Sequence, residues 1–104
     1  MYFDGFNWDE GNIKKVIKHG LTLEEIEGFF LAGAVVFEDA KHSDAEARHI
    51  AVGSSPKNDK MVFVSFTTRV IDFKLLLRPI SARYMRQKEA KAYEKFKKKY
   101  IQKK

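Results

Sequence analysis

The side chains of this sequence that can do chemistry are cations, accompanied by one carboxylate and three histidines. Cleavage of RNA through its 2′-hydroxyl needs a base, donors that hold the charge of the phosphorane, and an acid for the leaving oxygen. Glu46 or a histidine can be the base. The cations fall at the expected ends of strands and helices, where a rigid scaffold can aim several at one phosphate: Lys18, Arg48, Arg69, Arg78 and Arg83.

Each of these residues also has an ordinary structural role open to it. Glu46 and Arg48 fall on one face of a predicted strand, where they can pair with neighbours. His19 can end a helix, and His42 and His49 can be surface side chains. Ion pairs outside active sites perturb charged groups as well, so for any single residue the structural role is favoured.

Two short helices are predicted near the N-terminus. Asp9 is placed to cap a first helix that runs through Lys18. The apolar stripe of this helix leaves Asn12, Lys15 and Lys18 on its solvent side. A second helix begins with the capping box Thr22-Leu23-Glu24-Glu25. Its acidic outer side is expected to be solvated surface.

About four strands follow, in a mostly antiparallel sheet. The predicted strands cover residues 34–37, 46–53, 60–69 and 73–80. Residues 1–6 are a candidate short edge strand, and 54–59 form a turn. In the clearest strand one set of side chains is expected in the core and the alternate set on an exposed face: Val62, Val64 and Phe66, against Ser65, Thr67 and Arg69.

The last strand is predicted to run directly into the long C-terminal helix. Pro79 prevents a helix from continuing through it, and Ser81 is a favoured N-cap residue, which places the junction at Ile80-Ser81. Arg78 and Arg83 flank that junction. The expected fold class is α+β, with two N-terminal helices, an antiparallel sheet of about four strands and a C-terminal helix.

Length and composition indicate a single domain over residues 1–104. The N-terminus lacks the basic and apolar regions of a signal peptide, and no apolar run approaches a membrane span. Without cysteine there is no disulfide framework or thiolate metal site, which agrees with a cytoplasmic protein. Neither a nucleotide-binding glycine loop, nor a zinc signature, nor a nucleophile elbow is present.

The net charge of +6 is unevenly distributed. From Ser81 onward, ten Lys and Arg accompany two Glu, whereas residues 1–80 hold ten Lys and Arg and twelve Asp and Glu. The excess positive charge therefore belongs to the C-terminal helix and its tail, about residues 94–104. Such asymmetry is typical of a protein that meets RNA, DNA or an acidic partner, but a solvated lysine-rich helix end accounts for the tail equally well.

Several motifs together resemble the BrnT toxins, in order over about residues 6 to 93. They are Asn7-Trp8-Asp9 with Asn12, Lys18-His19-Gly20, Glu46-x-Arg48, Phe66-Thr67-x-Arg69, and Arg78-Pro79-Ile80-Ser81-Ala82-Arg83 with Glu89 and Tyr93. The resemblance implies a RelE-like fold and a type II toxin that cleaves RNA and stops translation. It also implies neutralisation by a BrnA-like antitoxin protein, and contact with operator DNA only through the antitoxin complex.

The resemblance places the catalytic positions on Lys18, Glu46, Arg69 and Arg83, with further RNA-binding candidates at Arg48, Arg78 and His19. In this hypothesis Arg69 and Arg83 bind the scissile phosphate, Glu46 is the general base, and Lys18 or His19 is a helper or proton donor. No metal or cofactor is expected, and no membrane partner. Two alternatives stay open: a non-enzymatic basic module that binds a partner protein or nucleic acid, and a toxin fold that has lost its activity.

Overall fold

A computed structural model describes residues 2–39, 41, 46–96 and 98 of the chain. The expected α+β class is confirmed. None of the described helices is both long and apolar enough to cross a membrane. Most of the predicted basic tail lies outside the described residues. The elements are β1 (Gly5–Phe6), α1 (Glu10–Ile17), α2 (Leu23–Leu31), β2 (Val35–Glu38), β3 (His49–Ser54), β4 (Met61–Ile71), β5 (Lys74–Tyr84) and α3 (Gln87–Phe96).

The described strands form one mixed sheet in the order β1-β5-β4-β3-β2. The pairs β2–β3, β3–β4 and β4–β5 are antiparallel, whereas β1 runs parallel to β5 through the pairs Gly5–Leu76 and Phe6–Leu77. The candidate edge strand within residues 1–6 is therefore present as β1. The layout of about four antiparallel strands, all following the N-terminal helices, is wrong in strand count and order. A two-residue strand is too short to show the alternation by which strands are recognised.

β5 continues through the predicted strand-to-helix junction. Ser65 pairs with Ser81 and Phe66 with Pro79, so that Ile80 is the extra residue of a β-bulge. A bulge is one of the places where a sheet tolerates proline, which has no N–H to give to the ladder. The predicted helix start at Ser81 is wrong, because Ser81 pairs within the sheet and α3 begins at Gln87.

The two N-terminal caps are confirmed. Asp9 accepts a hydrogen bond from the Asn12 N–H and its own N–H donates to the Asn12 side chain. Thr22 and Glu25 make the same reciprocal pair at the start of α2. Asn12, expected on the wetter side of α1, is instead buried, because its Nδ2 donates to the Pro79 carbonyl of β5 at 2.9 Å.

The hydrophobic core lies between α1, α2 and one face of the sheet, here called the helix face. Phe30 of α2 contacts Phe66 edge-on, with 5.1 Å between ring centroids. The predicted core positions Val62, Val64 and Phe66 are confirmed as fully buried. The opposite side of the sheet, here called the outer face, carries the alternate side chains of the same strands.

Two expectations about the outer face are wrong. The strand predicted from Glu46 begins only at His49, so Glu46 and Arg48 precede β3. Thr67, expected on an exposed face, is 1% exposed. Its hydroxyl accepts a hydrogen bond from Arg69 Nη1 at 3.2 Å, so a long neighbouring side chain crosses over this small one.

β4 and β5 are joined by a two-residue turn, Asp72-Phe73. Both residues have left-handed backbone, with φ of 50° and 64°. This is the geometry of a type I′ hairpin turn, which matches the twist of the two strands and is usually made by Asn-Gly. A phenylalanine at such a position is strained, and Phe73 is nonetheless fully exposed.

A buried carboxylate connects α2 to the sheet. Glu25, 3% exposed, accepts hydrogen bonds from the hydroxyls of Ser55 at 2.5 Å and Tyr84 at 2.7 Å. Burial raises the pKa of Glu25, but the hydrogen bonds from Ser55 and Tyr84 outweigh it and hold the pKa below its usual value. This cluster joins the first turn of α2 to the β3–β4 turn and to the end of β5.

We expect Glu25→Ala to destabilise the protein by about 2–3 kcal/mol, because it leaves two hydroxyls without their acceptor. For a domain of this size that loss lowers the melting temperature by roughly 10 °C or more. Glu24→Ala is the matched control: it removes an exposed carboxylate from the same helical turn. Equal melting temperatures for the two variants would show that the cluster adds nothing to stability.

Candidate nucleic-acid interface

Arginines follow one another along the outer face of β4 and β5. Arg78 and Arg83 are five positions apart, so in an unbroken strand their side chains would lie on opposite faces. The extra residue of the bulge changes the alternation and places both on the outer face. The register there pairs Phe63 with Arg83, Ser65 with Ser81, Thr67 with Arg78, and Arg69 with Leu76.

Three cations line one shallow pocket beside the start of α1. The pocket has a volume of about 250 Å³, and its cations come from α1, from the residue before β3, and from β5. Within the described part of the chain, no carboxylate lines it. Three lining cations without a lining carboxylate favour an anion such as a phosphate group. Its lining residues are Gly11, Asn12, Lys15, Arg48, Arg78 and Ile80.

Arg78 is held in place by the segment that caps α1. Its Nη1 donates to Asn7 Oδ1 at 2.8 Å and lies 2.9 Å from Asp9 Oδ2. The hydrogen bond from Arg78 lowers the pKa of Asp9, so the carboxylate stays charged and keeps the guanidinium oriented. The side chain of Arg78 is 20% exposed, which leaves part of the guanidinium accessible at the pocket.

Glu46 and Arg69 form an ion pair on the same side of the sheet. Extending the β3–β4 register past His49 places Arg48 opposite Thr67 and Glu46 opposite Arg69, and the ion pair agrees with that extension. The Arg69 guanidinium also donates to the Thr67 hydroxyl and the Thr68 carbonyl. Both charged side chains remain more than a third exposed, so a ligand can reach them.

Arg83 lies at the other end of the outer face from Arg69, and it is bound by a different set of residues. Its guanidinium donates two hydrogen bonds to Glu89 of α3, at 2.8 and 2.9 Å, and lies over the Phe63 ring with 4.9 Å to the centroid. The hydrogen bond from Arg83 lowers the pKa of Glu89 to about 2. Glu89 also accepts from the Arg86 N–H at the start of α3. Arg83 therefore fixes the start of α3 against the sheet.

The structure divides the candidate residues into two groups. Arg48 and Arg78 flank Thr67, and the Glu46–Arg69 pair lies two residues along β4, roughly 7 Å away. Arg83 pairs with Phe63, six residues from Arg69 along β4, which is roughly 20 Å. Arg69 and Arg83 are therefore too far apart in this conformation to contact one phosphate group.

The remaining candidates lie on α1 or away from the pocket. Lys18 is the C-cap of α1, exposed, and lies one helical turn beyond Lys15, while His19 follows it in the exposed turn. His49 pairs with Phe66 and its ring lies 5.3 Å from that ring, on the helix face. His42 lies outside the described residues.

Lys15 is a pocket residue that sequence reasoning did not select. A signal for it is present, since Asn12, Lys15 and Lys18 recur at three-residue spacing, which places them on one side of α1. What the sequence does not show is that this side of α1 meets Arg78 through the buried Asn12.

Over the described residues, no group of three or more His, Cys, Asp or Glu side chains is arranged to hold a metal ion. Comparison with curated proteins gave no match. A family model described as ribonuclease toxin, BrnT, of type II toxin-antitoxin system matches residues 8–89. The match includes α1, α2 and the sheet from β2 to β5. It also includes the three cations of the pocket and the arginines Arg69 and Arg83 on the outer face. The chain belongs to the BrnT family of ribonuclease toxins of type II toxin-antitoxin systems.

Proposed function

We propose that the chain is an endoribonuclease that cleaves RNA in the cytoplasm and thereby inhibits translation. Family membership supports the ribonuclease activity. The proposed position of the active site is supported by the pocket lined by Lys15, Arg48 and Arg78, with the Glu46–Arg69 pair beside it. Three cations around one pocket, next to one carboxylate, supply groups that cleavage through the 2′-hydroxyl requires.

In the proposed reaction the scissile phosphate lies in the pocket. Glu46 removes the proton of the 2′-hydroxyl, whose oxygen attacks the adjacent phosphorus while the bond from phosphorus to the 5′-oxygen breaks. Arg48, Arg69 and Arg78 hold the charge that develops on the phosphorane oxygens. Lys18 or His19, exposed at the end of α1, delivers a proton to the leaving 5′-oxygen. The products are a 2′,3′-cyclic phosphate and a 5′-hydroxyl, and the reaction uses neither metal nor cofactor.

Arg83 has a different role in this proposal. We propose that Arg83 binds RNA further along the strand and positions α3. Its distance from Arg69 and its two hydrogen bonds to Glu89 support this role. The outer face then offers an RNA chain cations over roughly 20 Å, enough for several nucleotides.

The cognate partner of a type II toxin is an antitoxin, and we propose that a BrnA-like protein is the antitoxin of this chain. Operator DNA is contacted only through the resulting complex.

Purified protein incubated with single-stranded RNA in the presence of EDTA is expected to give fragments with 2′,3′-cyclic phosphate ends. Addition of the antitoxin, and replacement of the 2′-hydroxyl at the cut position by hydrogen, should each abolish the fragments. Intact RNA from well-folded protein would contradict the proposal. Salt-sensitive RNA binding without cleavage would instead favour the non-enzymatic basic module. Cleavage that EDTA abolishes would contradict the metal-free reaction alone.

A further inference from the structure

The tip of the β4–β5 hairpin combines two unusual features in one side chain. Phe73 has left-handed backbone, with φ of 64°, and follows Asp72, which is left-handed as well. It is also fully exposed, and the neighbouring Val70 and Ile71 are 73% and 44% exposed. A bulky residue in this conformation is strained, and such strain persists mainly at functional sites. Phe73 gains no burial in return for its strain.

The tip lies just beyond Arg69 on β4 and is attached to the N-terminal segment. Asp4 accepts a hydrogen bond from the Leu75 N–H at 2.7 Å and its own N–H donates to the Leu75 carbonyl at 2.8 Å, which attaches the hairpin to the N-terminal segment. Ile71 pairs with Lys74 and lies two residues beyond Arg69, roughly 7 Å along β4. Ile71 is four residues from Thr67, so the tip begins roughly 13 Å from the pocket along β4. An RNA chain whose phosphates follow the arginines therefore reaches the tip within a few nucleotides of the pocket.

We infer that Phe73 is a stacking platform for an unpaired nucleobase of the RNA substrate, an inference that rests on the proposed function. Two observations favour a base over a protein partner. Arg69 and Lys74 lie beside the tip together with Asp72 and Asp4, and from Arg69 the cations continue along the same face of the sheet to the pocket at Arg78 and Arg48. The three exposed side chains also offer far less than the roughly 800 Å² per partner of a stable protein interface, whereas one aromatic ring matches one base.

The substitution Phe73→Gly tests this inference without weakening the fold. Glycine adopts left-handed backbone freely, and Phe73 has no buried contacts to lose, so the melting temperature should stay the same or rise. Binding of a labelled, non-cleavable 2′-O-methyl RNA, followed by fluorescence anisotropy, should weaken at least fivefold, as loss of one base stack implies. Phe73→Trp should bind within twofold of the unchanged protein.

Two controls test whether the lost affinity comes from base stacking. Leu31→Ser replaces another exposed apolar side chain, at the end of α2, and should leave RNA binding unchanged. An abasic oligonucleotide of the same length should bind the Phe73→Gly variant and the unchanged protein equally, because it has no base to stack.

Unchanged RNA binding by Phe73→Gly would overturn the inference, and a simultaneous loss of antitoxin binding would reassign the tip to a protein contact. An equal loss of affinity for the abasic oligonucleotide would overturn it as well. RNA binding that requires Arg78 but not Phe73 would overturn the inference about Phe73 and would still support the proposed function. Absence of RNA binding by the unchanged protein would overturn both.

Discussion

Arg78→Gln is expected to slow RNA cleavage by about 10²–10³-fold, the usual effect of removing a donor that stabilises the charge of a transition state. Arg78 contributes to the cation pocket and is oriented by Asn7 and Asp9, so its guanidinium is positioned before RNA binds. Glutamine keeps a polar side chain but is shorter and removes the charge. The single-turnover rate on a labelled RNA measures the loss, and circular dichroism checks that the variant is folded.

The same substitution at Arg83 is the matched control. Arg83→Gln removes an equal charge from the same face of β5. Arg83 pairs with Phe63, however, which lies four residues from Thr67 and therefore roughly 13 Å from the pocket. Its rate should fall less than tenfold, with any loss coming from weaker RNA binding. If Arg83→Gln proves the more damaging change, the reaction centre lies at the α3 end of the sheet and not at the pocket.

The parts of the fold that sequence reasoning predicted well are those determined by neighbouring residues. The Asp9 and Thr22 caps are confirmed because each depends on a partner three residues away. The alternation of Val62, Val64 and Phe66 is confirmed because one strand contains all the information needed. In each case the interaction that stabilises the element lies within a few positions of the chain.

The junction at Pro79 and Ser81 shows where local rules stop being sufficient. Both residues favour a helix start. The pairing of β5 with β4 nevertheless continues to Tyr84, and Pro79 is accommodated beside a β-bulge. That outcome depends on a strand about fifteen residues earlier in the chain, which no local pattern describes. The parallel pairing of β1 is beyond local rules for a similar reason, because its two-residue ladder is formed with β5, about seventy positions away.

Prediction of the candidate site from the sequence was limited in the same way. The residue types and the family motifs identified the charged side chains, but not which of them meet. One inserted residue, Ile80, decides that Arg78 and Arg83 share a face, and the pairing register decides that they lie apart along it. Lys15 joins the pocket only through the burial of Asn12 against β5. A bulge and a buried amide thus convert a set of charges into a specific arrangement.

Glu46→Gln should reduce the cleavage rate by about 10²–10⁴-fold, the range expected when a general base is removed. The substitution keeps the shape of the side chain and a hydrogen-bond acceptor for Arg69, so the local structure is retained. RNA should bind at least as tightly as before, because the variant has lost a negative charge beside Arg69. Loss of rate with unchanged or stronger binding is the pattern that identifies a residue acting in the chemical step.

Glu24→Gln provides the comparison, since it neutralises an exposed carboxylate on α2 and should cleave at the normal rate. If Glu46→Gln also cleaves normally, Glu46 serves only to position Arg69 and the base lies elsewhere. His19 is then the next side chain to replace, because it is exposed beside Lys18 at the end of the helix that lines the pocket. A large loss in His19→Gln, with Glu46→Gln unaffected, would place His19 and not Glu46 in the chemical step, as base or as acid, while leaving the arginines in their proposed role.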